Sequence, residues 1–99
     1  MSDKSKIGNF PKPEDLEQAI LESLITADGE LSTKKMFEMV VLILQPPREI
    51  LLAKRLDGRE ELKYRLAWAR TKAKNKGLIE HVRTSAWGIT PLGRNSIQR

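Results

Sequence analysis

The chain has no cysteine, a single histidine and few aromatic side chains among its 99 residues. The absence of cysteine excludes disulfides, thiolate metal ligands and a cysteine nucleophile. One histidine, His81, cannot form a zinc site by itself. With two Trp, one Tyr and two Phe, the core must be filled mostly by Leu, Ile, Val and Ala. A chain of this length forms one domain with a modest core, and we expect no metal, no cofactor and no catalytic residue.

Long apolar runs are also missing. The longest stretch, residues 40–44, is far too short to cross a bilayer, and the first 13 residues lack the apolar segment of a signal peptide. We therefore expect a cytoplasmic protein with no membrane partner. A pI near 9.7 suits a protein that meets nucleic acid.

Acidic residues are scarce in the C-terminal part of the chain. Residues 59–99 contain ten Lys or Arg and three acids, whereas residues 1–58 contain eight Lys or Arg and ten acids. The whole excess of positive charge, +5, therefore comes from the C-terminal part. Such separation of sign indicates a polyanionic partner more strongly than net charge alone.

The N-terminal half is predicted to be helical after a polar start. Residues 1–12 are expected to form a flexible segment, and Pro13 is a favourable first helical residue. Apolar spacing predicts a first helix over 14–26. After a very short strand at 30–31, Ser32 caps a second helix over 33–44. Two prolines end that helix, and a short third helix follows them.

The C-terminal half carries the most informative order of elements. Leu62, Leu66, Ala69 and Ala73 form one apolar stripe on a predicted basic helix over 60–76. Gly77 is a typical stop, and the runs 78–82 and 86–90 predict a tight β-hairpin. Thr90-Pro91 predicts a final helical turn. The pattern favours an α+β, mostly helical fold, a winged helix-turn-helix domain over 13–98.

Several short motifs resemble one known family. They are W-A-R-T at 68–71, K-G-L-I-E at 76–80 and W-x-I-T-x-x-G at 87–93, with further matches at Leu16, 19–21 and 29–30. At these distances the sequence resembles the winged-helix N-terminal domain of bacterial Mrr-type restriction system proteins, over about residues 10–98. Two departures are a wing tip without an additional basic residue and glycine, and a small residue at Ala73 where the family commonly has a larger one.

The resemblance implies a double-stranded DNA-binding module that recognises the target of a restriction or defence system. Family members usually continue into a nuclease domain of the PD-(D/E)xK type, whereas this sequence ends at Arg99. We therefore expect a chain that is not itself an enzyme. It is either a piece of a longer nuclease or a stand-alone relative, and a homodimer or an attached nuclease domain is its expected protein partner.

The basic helix is predicted to enter the major groove while the 79–90 hairpin acts as a wing. Outward-facing hydroxyl, amide and aromatic groups suit base edges, and the cations beside them suit phosphates. The predicted DNA contacts are Lys63, Tyr64, Arg65, Trp68, Thr71, Lys72, Asn75 and Lys76 on the helix, and Arg83, Thr84 and Ser85 in the wing.

Four side chains have competing interpretations. Helical geometry places Trp68 outward, but packing against the second or third helix is favoured for a tryptophan in a small domain. Trp87 alternates with Ile89 on a strand and is predicted to be buried. Arg70 lies near the apolar stripe, so a phosphate contact and a salt bridge to the first or second helix stay open. His81 is predicted to be a surface residue.

Two other functions compete with DNA binding. The order Asp57, Glu61, Lys63 imitates a nuclease signature, but that chemistry needs carboxylates converging on a metal from adjacent strands, and here a turn and a helix are predicted. The stronger alternative is a protein-interaction winged helix, in which the basic helix or residues 40–44 serve dimerisation or partner docking.

Overall fold

A computed structural model of the protein describes residues 10–97. The helices are α1 Pro13–Ala27, α2 Thr33–Leu44, α3 Arg48–Leu52, α4 Glu61–Asn75 and α5 Pro91–Ile97, and the strands are β1 Glu30–Ser32, β2 Ile79–Arg83 and β3 Ala86–Ile89. The predicted α+β fold is confirmed, with every predicted element in its place. Most of the predicted flexible segment, residues 1–9, lies outside the described residues.

Local signals in the sequence account for the ends of the first two helices. Pro13 opens α1, and Asp28 ends it in the left-handed conformation, with φ of 54°. The Ser32 hydroxyl accepts a hydrogen bond of 3.1 Å from the Lys35 N–H, which caps α2. Gln45, with φ of 47°, ends α2 just before the two prolines. None of the helices within residues 10–97 has the length and apolar character that a bilayer crossing requires.

Three short strands form one antiparallel sheet in the order β1-β3-β2. Leu31 on β1 and His81 on β2 both pair with Trp87 on the central strand. The register of β2 shifts between His81 and Arg83, and such irregularities re-aim the side chains beside them. The pairing of β1 with the hairpin holds the start of α2 beside the wing.

The core lies where α1, α2 and α4 meet the sheet. Its largest fully buried side chains include Leu16, Ile20 and Leu24 of α1, Met36 of α2 and Leu66 of α4. The four stripe residues of α4 are all buried. Two of the four stripe residues are alanines, so α4 contacts the core through a narrow apolar face. Most side chains of α4 therefore lie outside the core.

The junction between α4 and the hairpin is a Schellman turn. The N–H of Leu78 donates to the Ala73 carbonyl at 2.9 Å, and the N–H of Gly77 donates to the Lys74 carbonyl at 2.9 Å. Gly77 adopts φ of 81°, a left-handed conformation that favours glycine. The predicted stop at Gly77 is therefore confirmed with its physical cause.

Thr90 ties that junction to the last helix. Its hydroxyl lies 2.6 Å from the Gly77 carbonyl oxygen and 3.1 Å from that of Leu78, and it accepts a hydrogen bond from the Gly93 N–H. A Cβ at Gly93 would overlap the Leu78 carbonyl oxygen. The T-x-x-G motif is thus explained by one threonine that caps α5 and one glycine that permits close backbone approach.

Substitutions on the buried and exposed faces of α4 are expected to cause unequal losses of stability. Leu66 is 1% exposed, so Leu66→Ala is expected to lower the free energy of unfolding by about 2–5 kcal/mol through lost transfer energy and a residual cavity. Lys72 is exposed, and Lys72→Ala is expected to change it by less than about 0.5 kcal/mol. Urea denaturation measures both, and equal losses would contradict this assignment of the helix faces.

The close approach at Gly93 gives a second stability prediction. Gly93→Ala is expected to cost about 1–3 kcal/mol, because the methyl group must displace the Leu78 backbone or the start of α5. Gly29→Ala is the matched control, since a Cβ there meets the Ala27 carbonyl oxygen at 4.0 Å. Thermal melts of the two variants measure the difference, and a Gly93→Ala variant as stable as Gly29→Ala would refute the packing argument.

Candidate nucleic-acid interface

The outward face of α4 carries the polar side chains that were predicted to read bases. Trp68, Thr71 and Asn75 are exposed, and Lys72 lies beside them. The Thr71 hydroxyl donates to the Ala67 carbonyl at 3.2 Å, so its oxygen still has a lone pair for a ligand. The structure therefore brings these predicted residues together on one accessible helix face.

The favoured interpretation of Trp68 as a packed side chain is wrong. Trp68 is 57% exposed, and its ring meets that of Tyr64 edge to face at a centroid distance of 6.5 Å. It borders a groove shared with Pro11 and Pro13 instead of packing on α2 or α3. The reason is geometric, because Trp68 lies opposite the buried stripe and no element of the described chain covers that side of α4.

Tyr64 is held in place by an arginine from the preceding loop. The Arg55 guanidinium lies 3.6 Å from the centre of the Tyr64 ring, a cation–π contact. Arg55 also lies 3.3 Å from Glu61. The half-buried Tyr64 therefore lies at the border of the outward face with one side of its ring covered by Arg55. It is less accessible to a ligand than Trp68.

The nuclease-like order of Asp57, Glu61 and Lys63 does not form a catalytic geometry. Asp57 lies in an exposed turn, and its hydrogen bonds from the Arg59 side chain and N–H lower the pKa of the carboxyl. Glu61 lies on α4, 2.7 Å from Arg65. Both carboxylates are thus paired with arginines, and they do not lie on adjacent strands as a two-carboxylate metal site requires.

Three of the predicted DNA-contacting cations have carboxylate partners within 3.0 Å. Arg65 lies 2.7 Å from Glu61, Lys76 lies 2.9 Å from Glu17, and Arg83 lies 2.9 Å from Glu30 at the start of β1. Exposed ion pairs are worth about 0–1 kcal/mol, so an arriving phosphate can replace a carboxylate at Arg83. Lys76 pairs with α1, and the Arg65 guanidinium lies 4.1 Å from the ring centre of Phe10, which precedes α1. Both lie at the edge of the outward face.

The other cations of α4 are freer. No carboxylate of the described chain lies within 4.0 Å of Lys72 or Lys74, and Lys63 has a loose contact of 3.9 Å with Glu60. All three lysines are exposed. They flank Thr71 and Asn75, so the polar centre of the face is bordered by lysines whose carboxylate contacts are loose or absent in the described chain.

The wing is joined to the start of α2. The Ser85 carbonyl accepts hydrogen bonds from the Thr33 N–H at 2.9 Å and from the Thr33 hydroxyl at 3.3 Å. Trp87 is buried as predicted, and its indole N–H donates to the Thr33 hydroxyl oxygen at 3.2 Å. His81 is exposed as predicted, with its ring stacked on Trp87 at a centroid distance of 3.7 Å. Thr84 and Ser85 remain exposed at the wing tip.

A groove of about 760 Å³ lies between α2, α4 and the wing. Its walls include Arg70 and Lys34, two cations outside the set predicted to bind DNA. The suggested salt bridge of Arg70 is absent from the described part of the chain, because α1 and α2 bring no carboxylate within 4.0 Å of it. In the sequence, Arg70 directly follows Ala69 of the apolar stripe, which indicates a position at the edge of the core. For Lys34, only its charge suggested a role in the groove.

Comparison with known proteins assigns the chain to a family. A family model described as the Mrr N-terminal domain matches residues 14–99. The chain belongs to this family. Mrr N-terminal domains are associated with restriction systems and are distinct from the nuclease domain. No curated protein and no solved structure matches the chain significantly.

The different environments of the two tryptophans can be measured in this Mrr N-terminal domain. Trp68 is 57% exposed and Trp87 is 6% exposed, so acrylamide is expected to quench Trp68 several-fold more strongly. The Trp87→Phe variant isolates Trp68, and the Trp68→Phe variant isolates Trp87. Equal Stern–Volmer slopes for the two variants would show that Trp68 is packed.

Proposed function

We propose that this Mrr N-terminal domain is a double-stranded DNA-binding module that recognises the target of a restriction or defence protein in the cytoplasm. In this proposal α4 lies in the major groove and the β2–β3 hairpin lies along the flanking backbone as a wing. One observation carries the proposal. The outward face of α4 is exposed beside the wing, with a polar centre bordered by Lys63, Lys72 and Lys74.

The size and chemistry of α4 suit the major groove. That groove is about 12 Å wide and admits an α-helix. Asn75 can form paired hydrogen bonds with adenine, and Thr71 can accept from or donate to several base edges. Trp68, uncovered on the same face, offers an apolar surface to a thymine methyl or a sugar. We assign base reading to these three residues.

Phosphate contacts are assigned to the borders of the face and to the wing. Lys63 and Lys72 lie on opposite sides of the base-reading residues, and Arg83 with the Thr84 and Ser85 hydroxyls lies in the wing. An isolated domain of this size buries little surface against DNA, so we expect affinity in the micromolar range. A homodimer or an attached nuclease domain would supply the remaining affinity and the cleavage that we do not assign to this chain.

The proposal predicts salt-dependent binding to duplex DNA. If about four cationic side chains reach phosphates, the logarithm of the association constant should fall with the logarithm of salt at a slope of roughly −3.6, from about −0.9 per phosphate. Fluorescence anisotropy of a short labelled duplex at about 50 and 200 mM salt measures this slope. Changing Lys63, Lys72 and Arg83 together to Ala should abolish most of the binding and flatten the slope.

The control is a double variant that removes charge elsewhere, Arg48 and Arg94 to Ala, neither of which lines a groove beside α4. It should retain most of the affinity. No binding of the unaltered protein at the lower salt, or equal binding by the Lys63, Lys72 and Arg83 triple variant and the control, would refute the proposal. Titrations with and without Mg²⁺ also separate binding from cleavage.

The protein-interaction alternative is favoured by exposed leucines on α2 and α3. Leu42 on α2 is 66% exposed and Leu52 on α3 is 61% exposed, and exposed apolar side chains of this size are typical of contact surfaces when they cluster. Sedimentation of the protein without DNA tests this second candidate. A concentration-dependent mass together with absent DNA binding would favour it over the DNA-binding proposal.

A further inference from the structure

Arg70 stands out among the arginines near the proposed interface because its charge is not paired. Arg55, Arg65 and Arg83 each lie within 3.3 Å of a carboxylate oxygen. Arg70 has no such neighbour in the described chain, and its buried Nε, like that of Arg55, has no hydrogen-bond partner there. Its guanidinium is 5.9 Å from the Trp87 ring centre, a weak cation–π contact.

The half-buried Arg70 charge loses water, and no carboxylate of the described chain compensates for that loss. Burial lowers the pKa of the Arg70 guanidinium below its usual range, which is the signature of a charged form that has lost water without gaining a counter-ion. A buried polar group without a partner is rare and calls for an explanation in native proteins. Leu66, Ala69 and Ala73, which are near Arg70 in the sequence, pack α4 against the core. The packing of α4 therefore does not depend on the Arg70 guanidinium.

The groove that Arg70 faces combines positive charge with an apolar surface. Lys34 and Lys63 add two cations, and Phe37 lies in the wall with the Lys63 ammonium 5.3 Å from its ring centre. Glu38 also lines the groove, but it pairs with Lys35 at 3.8 Å. A ligand that fits this wall carries a negative group and an apolar ring or sugar face together.

Hydroxyl groups complete the polar side of the groove. The Ser32 hydroxyl accepts from the Lys35 N–H, which leaves its own proton for a ligand. The Ser85 side chain lies across from it at the wing tip. These donors lie at the joint between α2 and the hairpin, directly beside the outward face of α4.

We propose that this groove binds one sugar–phosphate unit of a DNA strand, with Arg70 pairing to its phosphate and Phe37 contacting its deoxyribose. The inference rests on the proposed DNA-binding function and adds a site to it. In this proposal the phosphate is the counter-ion that the Arg70 guanidinium lacks in the described chain. Its planar fork suits two hydrogen bonds to one phosphate.

The test is to replace Arg70 with Met, which keeps a long apolar side chain and removes the charge. We expect the melting temperature of the free protein to stay equal or rise by a few degrees. We expect duplex affinity at about 50 mM salt to fall about tenfold and the salt slope to lose about one unit. Arg70→Lys should recover the slope but not the full affinity, because lysine keeps the charge and lacks the fork.

Arg94→Met is the matched control. Arg94 lies on α5, 4.0 Å from Asp28 and at the end of the sheet away from the wing, so the variant removes the same charge outside the groove. It should bind duplex DNA within about twofold of the unaltered protein, since long-range attraction between exposed charges is screened by salt.

Three results would overturn the groove proposal. Arg70→Met could bind as tightly as Arg94→Met while the Lys63, Lys72 and Arg83 triple variant loses binding, in which case DNA binding stands and the groove is not used. Arg70→Met could also lose stability along with binding, which would make Arg70 a structural residue. Absence of duplex binding by the unaltered protein would refute the proposed function itself, and the groove proposal with it.

Discussion

The narrow contact between α4 and the rest of the core is the constraint on which the other features depend. Two leucines and two alanines pack this helix against the core. The small alanine side chains permit a close approach of α4 to α1, with which it is in contact. A wider apolar stripe would bury the sides of the helix. Because the stripe is narrow, α4 is anchored firmly and still presents Trp68, Thr71 and Asn75 to solvent.

The position of the wing relative to α4 follows from a second constraint, the turn after the helix. Gly77 reverses the chain and Thr90 bonds back to it from the end of the hairpin. Thr33 joins the wing tip to α2 through the Ser85 carbonyl. Hydrogen bonds therefore connect the helix, the hairpin and the start of α2 into one continuous surface. Preorganisation of this kind reduces the ordering cost of binding.

Features that depend on neighbours in sequence could be predicted, and features that depend on distant neighbours could not. The stop at Gly77 and the cap at Ser32 need a few consecutive residues, so the pattern was sufficient. The exposure of Trp68 depends on what covers α4 in space, and the general preference of tryptophan for packing gave the wrong answer. The unpaired charge of Arg70 and the pairing of Arg83 with Glu30 need the tertiary arrangement, which the periodicity of α4 does not contain.

The most direct measurement of the central claim is a map of backbone amide shifts by NMR as a short DNA duplex is added. The account predicts changes on the outward side of α4, at the start of α2 near Thr33 and in the wing at 83–85, with little change on α5. Changes centred on the exposed Leu42 of α2 or Leu52 of α3, or no changes at any DNA concentration, would contradict it.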